Sequence, residues 1–309
     1  MTSHQLDTAQ DTAINYFSRD LDPVLTIAPG DTVVVHTLDS GGHVGRPSAD
    51  GELPRRFFEE QRGHCLVGPI AVEGAKPGQS LAVHFDDLVP DDWGFTAAGL
   101  RETPLNIRLG LNSDAGARLL WEIDVEKGFA SNQLGLGTAI APFLGVVAVA
   151  PPEPGQHSTV PPRPVGAGNI DCRDLVAGST LYIPVAVESA LLSVGDGHAA
   201  QGDGEVSGTA IECGMTTTMT IDLVDEPALH SVYATTPAGR ITFGFDADLN
   251  EATAVALDAM LDWMAGSYGI SRAEALAMAS ATVSMRVTQI ANQTWGVHAL
   301  LPADAVRES

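Results

Sequence analysis

The eleven residues Gly195–Glu205 hold four glycines, two aspartates, one histidine, one glutamine and one glutamate. Carboxylates and imidazole bind divalent metals or move protons, and glycine lets the backbone turn sharply and approach other groups closely. Pure turn chemistry rarely needs a histidine and a glutamate as well. In an extended segment Asp196 and His198 project to one side, about 7 Å apart along the strand rise, and Glu205 returns towards them through Gly202 and Gly204. Zinc accepts mixed histidine and carboxylate ligands and keeps an open position for water in catalytic sites, and that water becomes nucleophilic near neutral pH. On spacing alone, a glycine-rich turn around a hydrogen-bonded histidine fits the stretch as well.

Further polar residues stand at comparable places. Asp39 is followed by Ser40, Gly41 and Gly42, and Asn169-Ile170-Asp171 follows Gly166-Ala167-Gly168. Glu188 interrupts the apolar run that leads into Asp196. An aspartate beside glycine is, by itself, most simply a turn residue.

The elements that must position these groups read mainly as strands. Gly30-Asp31-Thr32, Gly78-Gln79-Ser80 and Gly178-Ser179-Thr180 each open an apolar, extended run, as expected for strands entered through tight turns. Pro184 puts its strand at an edge or a bulge. Met219, Ile221 and Leu223 alternate with polar residues, as do Val283, Met285 and Val287, so each set predicts one buried and one wet face. Helices come late. Asn250 is the expected cap of a helix striped with Leu257, Met260, Leu261 and Met264 and stopped at Gly266. Ser271 and Glu274 predict a capping box for a second helix to about Ala279. The Pro- and Gly-rich stretch 151–168 reads as an ordered loop draped over the site. The expected fold is mainly β, a two-sheet, jelly-roll-like β-sandwich in one domain, 1–309, with a small helical insertion at about 251–279.

With 309 residues and a net charge of −23, the chain lacks the basic face that nucleic acid requires. Three cysteines, Cys65, Cys172 and Cys213, have no CxxC spacing and form no disulfide framework. No secretory signal and no apolar run of membrane-spanning length is visible, so a soluble, cytoplasmic protein with no membrane partner is expected. His43, His157, His230 and His298 read as isolated histidines, exposed or satisfied by hydrogen bonds, and the four tryptophans as core or interface.

The stretch from Gly195 to Glu212, with Gly168-Asn169-Ile170-Asp171, resembles the acetamidase/formamidase family. Gly68–Gly78, Trp93-Gly94 and Thr37-Leu38-Asp39 support the likeness, which runs from about Thr32 to Pro302. The resemblance implies hydrolysis of small linear amides to ammonia and a carboxylate, a β-sandwich, a bound divalent metal and a homo-oligomer. Residue by residue it implies a metal site from Asp39, Asp171, Asp196 and His198, with Glu205 as general base and Asp196 as its alternate. Asn169, Gln201 and His64 are the expected substrate contacts. Zinc is the expected metal, with calcium second. His64-Cys65 stands where the family has Asn-Pro and Gln79 where it often has Asp, while His36 and His84 are further departures; His64 or Cys65 is thus expected to line a modified pocket.

Two rival functions follow from the same residues. Cys172 beside Asp171, or Cys213 beside Glu212, would serve a cysteine-dependent amidase, although neither has a histidine nearby in sequence. A non-catalytic β-sandwich that binds a small ligand, with structural calcium in its Asp-Gly loops, is the other; His198 at the metal counts against it, since calcium prefers oxygen.

Overall fold

The tight-turn entries open strands in the computed structural model, which describes residues 1–48, 52–100, 102–111 and 116–307. The first part holds β1 (Ser3–Asp7), β2 (Ala13–Ile14), β3 (Leu25–Ile27), β4 (Asp31–Thr37), β5 (Leu66–Val72) and the long β6 (Ser80–Ala98). A one-turn helix, α1 (Pro104–Arg108), leads to β7 (Ala117–Asp124), β8 (Phe129–Asn132) and β9 (Gly137–Ala139). The middle holds β10 (Phe143–Ala148), β11 (Ala167–Asn169), β12 (Thr180–Pro184), β13 (Leu192–His198) and β14 (Glu212–Val224). Then come β15 (Tyr233–Thr236), β16 (Gly239–Asp246), α2 (Leu249–Tyr268), α3 (Arg272–Thr282), β17 (Ser284–Gln289) and β18 (Trp295–Pro302). The chain is mainly β, as its sequence predicts.

The strands pair in two groups. In the larger, β4, β14, β6, β12, β15, β16, β18 and β17 follow one another antiparallel, with β1 parallel on the outer side of β4. In the smaller, β11, β10, β13 and β5 follow one another, and β2 and β3 close on β5. Val33, Val83, Phe85, Met219 and Ile221 of the first group share one core with Val67, Ile70, Leu144 and Val194 of the second. The groups are also stitched together: β13 pairs with β14 at Gly197↔Cys213 and His198↔Glu212. From the far end of β6, an arm of β7, β8 and β9 extends outward.

Pro184 pairs only with Ser80 of β6, because β15 stops alongside Tyr182, so the proline lies where no second ladder needs its N–H. The late helices form with shifted ends. Asp248 caps α2, accepting from the Asn250 backbone N–H, and the left-handed Gly269 ends it, with Gly266 inside the helix. Asn250 is therefore the group being capped. The Ser271–Glu274 capping box is formed. In β17 the expected alternation is lost: Ser284 and Met285 are both exposed, Arg286 and Val287 are half-buried, and Thr288 and Gln289 are buried. The inward polar positions find partners, Arg286 on Asp174 and Asp203 and Thr288 on His298, and these outweigh burial of one methionine. No helix among the described residues is long and apolar enough to cross a membrane.

Candidate active site

The site forms where β13 meets β14. A Cβ at Gly195 would press on the Leu66 side chain and the Cys65 carbonyl, and one at Gly197 on Met215 and the Cys213 carbonyl. Glycine on either side of Asp196 thus lets β5 and β14 grip this strand closely. Asp196 itself is left-handed, with φ 62°, as are Asp171 (φ 52°) and Glu205 (φ 43°). Non-glycine residues hold such backbone only where their surroundings over-determine it, and they gather at functional sites. Within β13 the two side chains converge: His198 Nε2 lies 3.5 Å from Asp196 Oδ1. Opposite, a Cβ on Gly145 would fall 2.5 Å from Asp196 Oδ2 and 2.6 Å from Asp171 Oδ1, so both carboxylates crowd over the bare backbone of β10.

Gln201 fixes the histidine. Its Nε2 donates to the Asp171 carbonyl at 2.7 Å, which turns its Oε1 to His198 Nδ1 at 3.0 Å. An amide oxygen only accepts, so Nδ1 carries a proton, and in the neutral ring the lone pair sits on Nε2. Nε2 faces Asp196 and, at 3.3 Å, Glu212 Oε1, while Phe143 packs edge-on to the ring at 5.0 Å. Donor atoms of Asp171, Asp196 and His198 lie within 4.8 Å of one another, as do those of His198, Glu205 and Glu212. Both Asp171 oxygens, Glu205 Oε2, Glu212 Oε2 and Asn169 Oδ1 are buried and find no hydrogen-bond partner among the described residues. Buried carboxylate oxygens without donors are costly, and a divalent cation among an imidazole nitrogen and several carboxylates would satisfy them. The residues fit such a group.

Electrostatics separate the carboxyls. Burial, then the Asp196 charge, pushes Asp171 well above the usual carboxylate range. Burial and the Asp171 charge do the same to Glu205. Asp196 is as buried, yet the charges of His64 and His198 outweigh burial and hold it low. Burial works against a charged His198, but Glu212 and Asp196 carry it well above its ordinary value.

The structure therefore brings together Asp171, Asp196, His198 and Glu205. It adds Glu212, which sequence reading missed. The signal was present: a glutamate between Ile211 and Cys213 interrupts an apolar run. The same criterion picked Glu188, which lies exposed in a turn. Asp39 stands outside the grouped donors; its carboxylate is buried but accepts from the Gly41 and His43 N–H groups and lies 2.9 Å from His43 Nδ1. Gln201 has both ends of its amide committed, so it positions His198 where a substrate contact was expected. Asn169 is buried beside Asp171 in sequence. His64 Nε2 stands 3.9 Å from Asp196 Oδ2 at the half-buried rim. His298, expected to be exposed or satisfied by hydrogen bonds, is fully buried in a polar network with Thr288 and Asp174.

With this geometry in place, comparison with known proteins is decisive. A model of the acetamidase/formamidase family matches residues 2–155 and 154–306. The chain belongs to that family. It is 27% identical over 244 residues to the formamidase of Methylophilus methylotrophus, covering 62% of this chain and 59% of that protein; the chain thus spans about three fifths of that relative's length. Its fold is similar to an acetamidase from Bacillus halodurans at TM-score 0.82 and 26% identity, covering 96% of this chain and 97% of that one. An acetamidase from Yersinia enterocolitica superposes at TM-score 0.84 and 26% identity, covering 97% and 92%.

Of the departures from the acetamidase/formamidase pattern, only those at positions 64 and 65 adjoin the site. Gln79 pairs with Asp225, His36 with Asp91, and His84 lies 2.9 Å from Thr180 Oγ1. His64 is held by Thr159, whose Oγ1 accepts from its backbone N–H at 2.8 Å and lies 2.9 Å from its Nδ1. Thr159 belongs to the 151–168 loop, which is ordered and tied down by reciprocal backbone bonds between His157 and Phe17. A groove of about 360 Å³ opens on Gln201 and Glu205, walled by Trp121 and Thr96.

Proposed function

We propose that this chain hydrolyses small linear amides of the formamide or acetamide type to ammonia and a carboxylate, using a divalent metal. The observation that carries the reading is the set of buried, partnerless carboxylate oxygens of Asp171, Glu205 and Glu212 around His198 Nε2, in a family whose relatives are named formamidase and acetamidase. Asp171, Asp196 and His198 would hold the ion, with Glu212 beside His198. When bound, the ion supplies positive charge for the amide carbonyl oxygen and lowers the pKa of water.

Glu205 accepts the proton of the attacking water and returns it to the departing nitrogen, so that the C–N bond breaks with loss of neutral ammonia. Its buried, proton-retaining environment suits a group that must hold a proton between the two steps. Asp196 stays ionised beside His198 Nε2, as a ligand to the ion requires, while His64 at the rim and the buried Asn169 are read as substrate contacts. The imidazole nitrogen in the donor set favours zinc over calcium. A cysteine mechanism has less support: burial pushes Cys65 up to about 12 and raises Cys172 and Cys213 as well, so little thiolate is available.

We take the strand groups as the leaves of a β-sandwich in a single domain 1–309; their shared core supports this. A cytoplasmic homo-oligomer completes the reading. Three buried free thiols fit a reducing compartment, and exposed Phe129, Leu134 and Leu136 on the arm fit a covered apolar face. Ammonia release from formamide and acetamide is the test, before chelation, after it, and after adding zinc or calcium back. Loss on chelation with recovery in zinc is expected. Full activity without metal would overturn metal dependence, and no ammonia from either amide in the metal-loaded protein would favour a non-catalytic ligand-binding module.

A further inference from the structure

We infer that Arg286, on β17, is a positioning residue that sets Glu205 in place from the strand that follows α3; the inference rests on Glu205 being the base. Arg286 Nε and NH2 donate to the two oxygens of Asp203 at 2.7 and 2.9 Å, and its NH1 donates to Asp174 Oδ2 at 2.6 Å. Asp203 lies two residues before Glu205, and Asp174 three residues after Asp171. One guanidinium therefore clamps the two segments that carry Asp171 and Glu205. The backbone reinforces it: Gly204 N–H donates to the Thr288 carbonyl at 3.1 Å, and Ile290 N–H to the Gly204 carbonyl at 2.8 Å. Behind these bonds, Thr288 Oγ1 sits 2.8 Å from Nδ1 of the buried His298, whose Nε2 faces Asp174 at 3.4 Å.

Glu205 needs such support. Its backbone is left-handed at φ 43° and follows Gly204 at φ 96°, and a glutamate keeps that conformation only where its surroundings impose it. The planar fork of arginine binds both Asp203 oxygens at once, which the point charge of lysine does not reproduce. Donor atoms of Cys172, Asp174 and His298 also lie within 4.8 Å of one another. Arg286 already occupies the Asp174 oxygen there, so this cluster is an ion-pair network and not a cation site.

The test combines turnover with hydrogen exchange in the full-length, metal-loaded protein. Arg286→Ala and Asp203→Asn should each lower kcat roughly 10- to 100-fold with KM little changed, the cost of a small misplacement of a catalytic group. Arg286→Lys should recover only part of the loss. In Arg286→Ala and Asp203→Asn the amides of residues 202–208 should exchange faster while those of β14 keep their protection. In a Glu205→Gln background, Arg286→Ala should cause no further loss, because it acts through the group already removed. Arg272→Ala, which breaks the ion pairs of Arg272, at the start of α3, with Asp258 and Asp262 of α2, should leave kcat unchanged. Wild-type kcat in both Arg286→Ala and Asp203→Asn, multiplicative losses with Glu205→Gln, or an equal loss in Arg272→Ala would each overturn the inference. Wild-type turnover in Glu205→Gln alone would instead overturn the assignment of the base.

Discussion

Gly145 and Gln201 decide more about the candidate site than their chemistry suggests. Neither carries a charge, yet one gives the Asp171 and Asp196 carboxylates room and the other fixes the His198 ring. Gly145→Ala puts a methyl group against both carboxylates, and the chain should fold but bind zinc in much less than one equivalent, read from metal content after dialysis. Gln201→Leu removes the acceptor at His198 Nδ1 and should weaken metal affinity about 10- to 100-fold, the usual cost of losing a partner behind a ligand; a competition titration against a chromophoric chelator measures it. Glu205→Gln should retain metal and lower turnover by ~10²–10⁴-fold, the range for losing a general base. At this scale the sequence was legible where chemistry and glycine coincide, as at Asp171, Asp196, His198 and Glu205. Glu212 left only the break it makes in an apolar run, and Arg286 left no signal, because their partners lie 14 residues away or more: His198 for Glu212, Asp174 and Asp203 for Arg286. Asp39 carried the right residue type, but its carboxylate is spent locally on His43 and the Gly41 turn.

Between elements, the register of β14 produces a contact that neither neighbouring strand predicts alone. β4 and β6 flank β14, and across it His36 of β4 lies 3.3 Å from an oxygen of Asp91 of β6. Asp91 leans over Gly214, where a side chain would strike it. The hydrogen bond to Asp91 raises the His36 pKa above its ordinary 6.5, against the opposing effect of burial. A raised histidine stabilises the fold fully below pH 6.5 and loses that contribution as pH rises through the higher folded value. Asp91→Asn should thus destabilise the chain more at pH 6 than at pH 9, by less than about 1 kcal/mol because the pair is partly exposed; denaturant midpoints at the two pH values measure the difference. Strand entries and the Ser271 capping box were readable because each is written in three or four adjacent residues. The lost alternation of β17 was not, since Thr288 and Arg286 turn to partners on other segments.

For the whole molecule the dominant quantity is charge. The chain has 39 acidic residues against 16 lysines and arginines, so even complete pairing with those bases would leave an excess of 23 carboxylates. Acidity was legible from composition, whereas the junction of two strand groups that buries several of those carboxylates was not. The two populations should respond differently to salt. Repulsion among exposed groups is screened as the Debye length shrinks from about 30 Å at 0.01 M to about 3 Å at 1 M, while the buried site is screened much less. Sodium chloride should therefore raise the thermal unfolding midpoint, because net repulsion exceeds what sixteen bases can offset with pairs worth at most about 1 kcal/mol each at the surface. Chelation should lower that midpoint by an amount that survives at high salt, since metal held at about 1,000 times its Kd contributes roughly 4 kcal/mol through binding. A midpoint that falls with salt would mean that specific surface pairs such as Arg46 with Asp92 and Glu122 outweigh the acidic excess. A chelation effect that vanishes at high salt would place the ion on the exposed surface and not among Asp171, Asp196 and His198.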